Sequence, residues 1–342
     1  MTCAREPRID WMDALRGAAA ILVLIRHYFK ISALGPVATY IDPGTMGVVA
    51  FFCISGYVIP WSVLRKPTTV GQFALSRAFR LYPAYWISLA FAALVFPLAT
   101  HQLLANITMA QRFIGVPDAV GVYWTLQVEL IFYVLIAGLL FAGKLADPRV
   151  SVWCLLGACA LSVVMAIPRV ALSVKTPVAP AFSLVVMFAS FVLYQHRHAG
   201  YLSPRQLRAL LCGAAAILTC CLLLAYRTDW GAGETPHRFI VAYLVGIGLF
   251  AAFMRCNIDT PVLRWLGRIS YPLYLIHVPA RQLIVDLMPK LGETATATLG
   301  IVTTLILAAI MHRVIEVPFV NAGKSVIARY QAMRSTAKAD AV

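Results

Sequence analysis

Long apolar stretches recur along almost the whole chain, and they constrain its fold more than any other feature. The hydrocarbon core of a bilayer is about 30 Å thick, so a helix that crosses it needs about 20 apolar residues. Stretches of this kind, joined by short polar connections, lie at 14–34, 45–64, 83–100, 123–142, 151–168, 178–195, 209–226, 238–254, 270–289 and 294–315. The pattern predicts an all-α fold, a polytopic membrane helical bundle of about ten transmembrane helices.

The composition agrees with a membrane protein. Of the 342 residues, 61% are hydrophobic and only 13% are charged, whereas soluble domains carry about 25% charged residues. No linker rich in Gly, Ser or Pro interrupts the chain, so we predict a single membrane-embedded domain over 1–342. We expect it to end in a short cytoplasmic tail, 320–342, which is too short to fold alone.

The distribution of basic residues predicts the orientation. The chain carries 29 Lys and Arg against 14 Asp and Glu, a net charge of +15. If the N-terminus is cytoplasmic, most of the basic residues fall in segments on the inner side, which is the usual bias of membrane proteins. We therefore predict a multi-pass protein of the cell inner (plasma) membrane with both termini cytoplasmic. Since topology accounts for the charge, we expect the lipid bilayer and not a nucleic acid as a partner.

Polar residues within the predicted spans are concentrated in the first, second, fourth and ninth. By contrast, the four middle spans, from 151–168 to 238–254, consist mostly of Leu, Ala, Val and Cys and predict a lipid-facing scaffold. The eight cysteines form no CxxC pair, so the sequence predicts neither disulfides nor a metal site. We therefore expect the chemistry in the spans that carry polar residues.

The first span contains Arg16 and His27. They are eleven residues apart, about three helical turns, so they lie on nearly one face. Ionisable groups within a bilayer are costly and usually face a cavity or a partner, which favours a functional role. The alternative for His27 is a hydrogen bond to a neighbouring helix that serves packing alone.

Glu129, in the fourth span, is predicted to reach a depth similar to that of His27. A carboxylate beside an imidazole fixes its tautomer, raises its basicity and stabilises the imidazolium formed on proton transfer. The alternative for Glu129 is an ion pair with Arg26 or Lys30.

One further motif precedes the third span, and another lies within the second. Arg77 and Arg80 share one face of a short helix by their i, i+3 spacing. They serve either as inner-side anchors or as bidentate ligands of phosphates. Ser55 and Gly56 form a notch of small residues, which favours close helix packing over the approach of a ligand.

Polar residues also occupy the last two spans. His277 is followed by Arg281 and Asp286 on the same helix, and this polar seam predicts that the helix lines a cavity. His312 and Glu316 face each other by their i, i+4 spacing, and we interpret them as a structural pair.

In combination and order, these motifs resemble the acyltransferase-3 family of integral membrane acyltransferases. Members of that family O-acylate surface polysaccharides, lipid-linked sugars, Nod factors, periplasmic glucans and some macrolides. The matching stretches are MDALRG (12–17) with His27 at the spacing typical of the family, FFCISGY (51–57), RAFRLYP (77–83), WTLQVE (124–129), SYPLYLIH (270–277) and IEVPF (315–319). One departure is Arg26, where an aromatic or aliphatic residue is usual.

The resemblance implies transfer of an acyl group, most commonly acetyl, from cytoplasmic acyl-CoA to a hydroxyl of a carbohydrate or lipid-linked glycan. It implies acyl-CoA as a donor substrate and no tightly bound cofactor. Carried onto this chain, Arg77 and Arg80 would hold the donor phosphates, and Arg16 would guide the pantetheine arm. His27, supported by Glu129, would be the general base on the acceptor hydroxyl, or alternatively a transient acyl carrier.

The resemblance leaves several points open. Further candidates for contact with the donor, including its oxyanion, are Ser55, Tyr57, Tyr123, Trp124 and His277. The acceptor is not determined, and succinyl or longer chains are alternatives to acetyl. One rival function is a transporter of a glycan, lipid or acyl group that uses His27 and Glu129 as a proton relay. Another is a non-catalytic partner in a polysaccharide assembly complex.

Overall fold

The computed structural model describes residues 10–229 and 233–339, and within these ranges the chain forms helices and no β-strand. The extreme ends of the predicted cytoplasmic termini, 1–9 and 340–342, lie outside the described residues. The α-helices of the described ranges are α1 Asp10–Tyr28, α2 Pro43–Leu64, α3 Val70–Val95, α4 Thr100–Ile107, α5 Trp124–Phe141, α6 Pro148–Ala171, α7 Val178–Ala199, α8 Pro204–Ala225, α9 Pro236–Cys256, α10 Pro261–Arg268, α11 Ser270–Leu287, α12 Glu293–Met311 and α13 Val317–Ala339.

The helices confirm an all-α polytopic membrane protein. Among the described residues, eight helices are long and apolar enough to cross a bilayer: α2, α3, α5, α6, α7, α8, α9 and the continuous α12–α13. The other two predicted spans coincide with α1, of 19 residues, and α11, of 18 residues. Both are long enough to cross a bilayer. Their charged and polar side chains make them less hydrophobic than the eight helices named above.

Two of the predicted boundaries that differ from the structure affect candidate site residues. α1 ends at Tyr28 rather than at 34, which places His27 in its last turn. α3 begins at Val70 rather than at 83, because a capping box of Thr69 and Gln72 starts the helix early and the helix continues through Pro83. Membrane helices tolerate an internal proline where neighbouring groups satisfy the freed carbonyl. Arg77 and Arg80 therefore belong to the long helix itself.

The C-terminal tail is helical over its described residues, 320–339. α12 continues through a π-helical turn, His312–Glu316, into α13, which extends to Ala339. α13 packs on α3 so closely that a Cβ at Gly323 would lie 2.8 Å from the Cβ of Phe79. The segment after 320 is therefore not an independent tail, because the neighbouring helix supplies the packing that it lacks alone.

Contacts between Cα atoms divide the chain into two compact units. The first unit comprises Met1–Tyr57, Leu155–Leu193 and Leu202–Tyr271, and the second comprises Val58–Cys154, Tyr194–Tyr201 and Pro272–Val342. Each unit thus gathers segments that are far apart in the sequence.

In the first unit, two glycines bring α1 and α10 into backbone contact. A Cβ at Gly17 would overlap the carbonyl group of Leu263, and a Cβ at Gly267 would overlap the carbonyl group of Asp13. Such close approach is possible only where the side chain is absent. The two glycines therefore fix the position of α1, the helix that carries Arg16 and His27.

The middle spans are not uniformly a lipid-facing scaffold. In α6, α8 and α9 only 28–33% of the 18-residue apolar stretch is buried within the protein, as predicted for helices that face lipid. In α7 the buried share is 78%, so this helix belongs to the protein interior and the prediction is wrong for it. Hydrophobicity cannot separate the two cases, because lipid tails are as apolar as a protein core.

Candidate active site

His27 is half-buried in the last turn of α1, and its tautomer is determined by its own helix. Its Nδ1 lies 2.9 Å from the carbonyl oxygen of Val23. A carbonyl oxygen can only accept, so Nδ1 donates and carries the proton. The lone pair therefore belongs to Nε2, which makes Nε2 the nitrogen that can take up a proton. This bond lies within α1, so it is not the hydrogen bond to a neighbouring helix that the packing alternative requires.

Arg16 lies about 16 Å before His27 along the same helix. Its Nη1 donates to the Asp13 carboxylate at 2.8 Å, and both side chains are partly buried. Asp13 in turn has its backbone against Gly267 of α10. The guanidinium is thus held in place by an acidic neighbour on a rigidly packed turn.

The small residues of the second predicted span serve close packing, as predicted. A Cβ at Gly56 would overlap the carbonyl group of Met187, so α2 and α7 meet backbone to backbone. Tyr57 is buried, and its ring lies edge-on to Trp11 with the centroids 6.4 Å apart. Ser55 is half-buried beside this contact. Tyr57 is therefore a core residue of the first unit.

Glu129 belongs to the second unit, where it accepts a hydrogen bond of 2.6 Å from the hydroxyl of Tyr133, one turn further along α5. The pairing predicted between Glu129 and His27 joins residues of different units, and it stays a prediction.

Arg77 lies against the same tyrosine. Its guanidinium is 5.6 Å from the ring centre of Tyr133 and 5.4 Å from that of Phe73, and its Nη2 donates to the Ser62 hydroxyl at 3.1 Å. Its Nε is buried and has no hydrogen-bond partner within the described ranges. Through Tyr133, the structure brings Arg77 and Glu129 into one cluster, although the sequence assigned them to separate roles.

Arg80 has an acidic partner that the sequence did not predict. Its Nη1 lies 3.4 Å from Oε1 of Glu316, whose side chain is only 4% exposed. The other carboxylate oxygen lies 2.7 Å from Nδ1 of His312, which confirms the predicted pair of His312 and Glu316. Any phosphate held by Arg80 therefore competes with a carboxylate that is already in place.

We expect Glu316→Gln to lower stability by about 1–2 kcal/mol, because the amide keeps the shape of the side chain but loses the charge that faces Arg80 and His312. Thermal unfolding of the detergent-purified protein measures the change. Asp286→Asn, which removes an exposed carboxylate on α11, is the matched control. Equal melting temperatures for the two variants would contradict a structural role for Glu316.

Tyr123 and Trp124 begin the fourth span. Tyr123 is fully buried, and its hydroxyl is hydrogen-bonded to that of Ser88, which also donates to the carbonyl oxygen of Leu275 at 3.1 Å. The Ser88 hydroxyl therefore links α3 to α11 and also holds the phenol of Tyr123. Trp124 is half-buried at the first position of α5.

His277 does not begin a continuous polar seam. Its side chain is fully buried, and its Nδ1 donates to the carbonyl oxygen of Tyr274 at 2.8 Å. Arg281 and Asp286, further along α11, are exposed. The polar side chains of α11 therefore do not form the expected continuous line, because His277 lies in the interior and Arg281, one turn later, lies on the surface.

The loop before α5 contains a buried carboxylate that was not predicted from the sequence. The side chain of Asp118 is only 2% exposed, and it accepts hydrogen bonds of 2.6 Å from Gln111, 2.8 Å from Gln127 and 2.6 Å from Arg112. The only signal in the sequence was Gln127, a polar residue within an apolar span. The network anchors the start of the helix that carries Glu129.

A family model described as an acyltransferase domain matches residues 9–313. The chain belongs to the acyltransferase-3 family. The match extends over most of both units and includes all the predicted site residues. This acyltransferase-3 protein is therefore a multi-pass membrane O-acyltransferase.

Several curated proteins are similar to it over nearly its whole length. Peptidoglycan O-acetyltransferase OatA of Listeria monocytogenes is 24% identical over 90% of this chain, which spans only 55% of that relative. The O-acetyl transferase of Shigella phage Sf6 is 24% identical over 90% of this chain and 95% of its own length. Nodulation protein 10 of Rhizobium leguminosarum bv. viciae is 26% identical over 93% of this chain and 95% of its own length. No solved structure matches the chain at a significant level.

Proposed function

We propose that this acyltransferase-3 protein moves an acyl group, acetyl in the simplest case, from cytoplasmic acyl-CoA to a hydroxyl of a carbohydrate or lipid-linked glycan. The observation that carries the proposal is the hydrogen bond from Nδ1 of His27 to the carbonyl oxygen of Val23. It leaves the lone pair on Nε2, as a general base requires. Two relatives that are named O-acetyltransferases support an acetyl group, and one of them is named for peptidoglycan.

In the proposed reaction, Nε2 of His27 takes the proton of the acceptor hydroxyl as the oxygen attacks the thioester carbonyl. The carbon–sulfur bond then breaks, and the proton passes from Nε2 to the leaving thiolate. In the alternative, Nε2 itself attacks the thioester, and the carbon–sulfur bond breaks to release the thiolate of CoA. The acceptor oxygen then attacks the acyl-imidazole, the carbon–nitrogen bond breaks, and the hydroxyl proton passes through Nε2 to the thiolate.

The role proposed for Glu129 is electrostatic. Because Val23 already determines the tautomer of His27, the carboxylate is not needed for that purpose. Its negative charge would instead stabilise the imidazolium that forms on proton transfer. His27 and Glu129 belong to different units, so this part of the proposal depends on the sequence alone.

Arg77 is the better supported of the two predicted phosphate ligands. It has an Nε–H without a hydrogen-bond partner in the described ranges, whereas Arg80 faces Glu316. Guanidinium groups bind phosphate through paired, charge-assisted hydrogen bonds. We therefore propose that Arg77 holds the donor and that Arg80 adds a second positive charge beside it.

We expect Arg77→Ala to raise the KM for acetyl-CoA about 10- to 100-fold with a smaller effect on kcat, because it removes charge-assisted hydrogen bonds to the donor. Initial rates at varied acetyl-CoA measure the change. Arg149→Ala is the control, since Arg149 is an exposed arginine of the same unit that lies over Tyr201. An unchanged KM in a folded Arg77→Ala protein would contradict donor binding by Arg77.

The proposed function as a whole is tested with membranes that contain the protein, labelled acetyl-CoA and a glycan extract from the host. We expect label in the glycan fraction only when the protein is present. Absence of transfer from every acyl-CoA tried, with abundant folded protein, would contradict the proposal and favour the transporter.

A further inference from the structure

Next to His27, the first unit contains a cluster of two arginines around one carboxylate. Nε of Arg26 lies 3.6 Å from Oδ1 of Asp42, and Nη2 of Arg238 lies 3.6 Å from Oδ2 of the same residue. Asp42 also caps the N-terminus of α2, because its carboxylate accepts hydrogen bonds from the backbone N–H and the hydroxyl of Thr45. These three side chains form the Arg26–Asp42–Arg238 cluster.

The cluster carries excess positive charge. One carboxylate faces two guanidiniums, and the side chain of Arg26 is 41% exposed. The segments at this end of the first unit, 26–42, 169–178, 225–229 and 233–238, contain six basic residues, Arg26, Lys30, Arg169, Lys175, Arg227 and Arg238, and three acidic residues, Asp42, Asp229 and Glu234. This is the predicted outer end, where orientation in the membrane does not call for basic residues.

An aromatic face lies beside the cluster. The ring of Tyr40 is 4.7 Å from that of His237, the neighbour of Arg238 in the sequence. Tyr40 is 52% exposed, so one part of its ring is available to a ligand. Aromatic rings with a polar edge suit ligands that are partly apolar and partly hydrated, as sugar rings are.

We infer that the Arg26–Asp42–Arg238 cluster binds an anionic group of the acceptor, either the pyrophosphate of a lipid-linked glycan or a carboxylate of the glycan itself. Paired guanidiniums are the usual protein ligands of both anions. Arg26 and His27 are consecutive residues, with Cα atoms about 3.8 Å apart. Their side chains leave the helix about 100° apart, so a sugar next to an anion held by Arg26 would lie at the same end of α1 as the proposed base but not on the same face. The inference names the acceptor class for the proposed function and rests on it.

Binding is measured first, without any acyl transfer. Inorganic pyrophosphate is titrated into the full-length protein in nanodiscs, and the shift of its melting temperature yields an apparent Kd. We expect Arg26→Gln to weaken binding about 10- to 100-fold, since it removes a charge-assisted contact. Asp42→Asn should strengthen binding, because it removes the competing negative charge, while an asparagine still caps α2.

Arg227→Gln is the matched control, because it removes the same charge from an exposed position at the same end of the unit. If Arg227→Gln weakens pyrophosphate binding as much as Arg26→Gln, the effect is one of overall charge and the inference is overturned. Binding of pyrophosphate to Arg26→Gln with wild-type affinity also overturns it.

The transfer assay then identifies the source of the anion. Three acceptors are compared: the lipid-linked glycan, the glycan released from its pyrophosphate by mild acid, and the glycan with its carboxyl groups reduced. A KM that rises for the released glycan points to pyrophosphate, and one that rises for the reduced glycan points to a carboxylate. Equal KM values for all three overturn the inference. Failure of transfer to all acceptors overturns the proposed function, while the pyrophosphate titration still decides whether the cluster binds anions.

Discussion

Replacing His27 by alanine is expected to lower acyl transfer to the glycan by at least about 100-fold, because a positioned general base contributes about 100- to 10,000-fold to such a step. The alanine variant has neither the Nε2 lone pair nor any other group on that turn of α1 that could take the proton. The amount of folded protein should stay the same, since the imidazole is only half-buried and its hydrogen bond to Val23 lies within its own helix.

A closely matched control exists in the same chain. Nδ1 of His198 lies 2.9 Å from the carbonyl oxygen of Tyr194, the same i−4 geometry as in His27, but His198 is exposed at the end of α7. We therefore expect His198→Ala to transfer acetyl at the wild-type rate. Transfer by His27→Ala at the rate of His198→Ala would show that His27 is not the base, although the chain would still be an acyltransferase.

The same preparation distinguishes the two mechanisms proposed for His27. Labelled acetyl-CoA is added without an acceptor, and the protein is then examined for bound label. Label that appears on the wild type but not on His27→Ala would indicate an acyl-imidazole intermediate. Unlabelled wild-type protein that is nevertheless active would indicate direct transfer, with His27 as general base.

The second large effect is expected from Gly267→Ala. The added methyl group would overlap the carbonyl group of Asp13, and neither backbone can move without separating α1 from α10. Overpacking of this kind costs about 1–3 kcal/mol or more. We expect a large loss of folded protein, and with it of the activity that depends on Arg16 and His27 in α1.

The change is measured as the fraction of protein that is monodisperse after mild detergent extraction, together with its melting temperature. Gly213→Ala in α8 and Gly248→Ala in α9 are the controls, because a Cβ at either position meets no atom within 4 Å. These two should be as stable as the wild type or up to about 1 kcal/mol more stable, since alanine is a better helix former than glycine. Normal stability of Gly267→Ala would show that α1 and α10 are less closely packed than described.

The local features of the site could be predicted from the sequence. The i, i+4 spacing placed His312 and Glu316 in contact, and the structure has them at 2.7 Å. Ser55 and Gly56 predicted close helix packing, and Gly56 lies against the backbone of Met187. Both predictions needed only the geometry of one helix and the absence of a side chain, which the order of residues determines.

Contacts between distant segments could not be predicted in this way. Nothing near Arg80 in the sequence indicates that its partner is Glu316, because the contact depends on how α3 and the turn before α13 meet. Asp118 lies in a loop with no periodic pattern, and only the folded chain brings Gln111, Gln127 and Arg112 to it.

By itself, the sequence determined the class of protein, the approximate positions of most of its membrane helices and its family, because hydrophobic length and local motifs are properties of single segments. Only the tertiary structure decided which apolar helices are internal, as the burial of α7 shows, because lipid and protein interior are equally apolar. The tertiary structure also decided which charged groups pair across segments. It also revealed that α1 itself determines the tautomer of His27. The order of residues does not specify the rotamer of a side chain or the hydrogen bond that it makes.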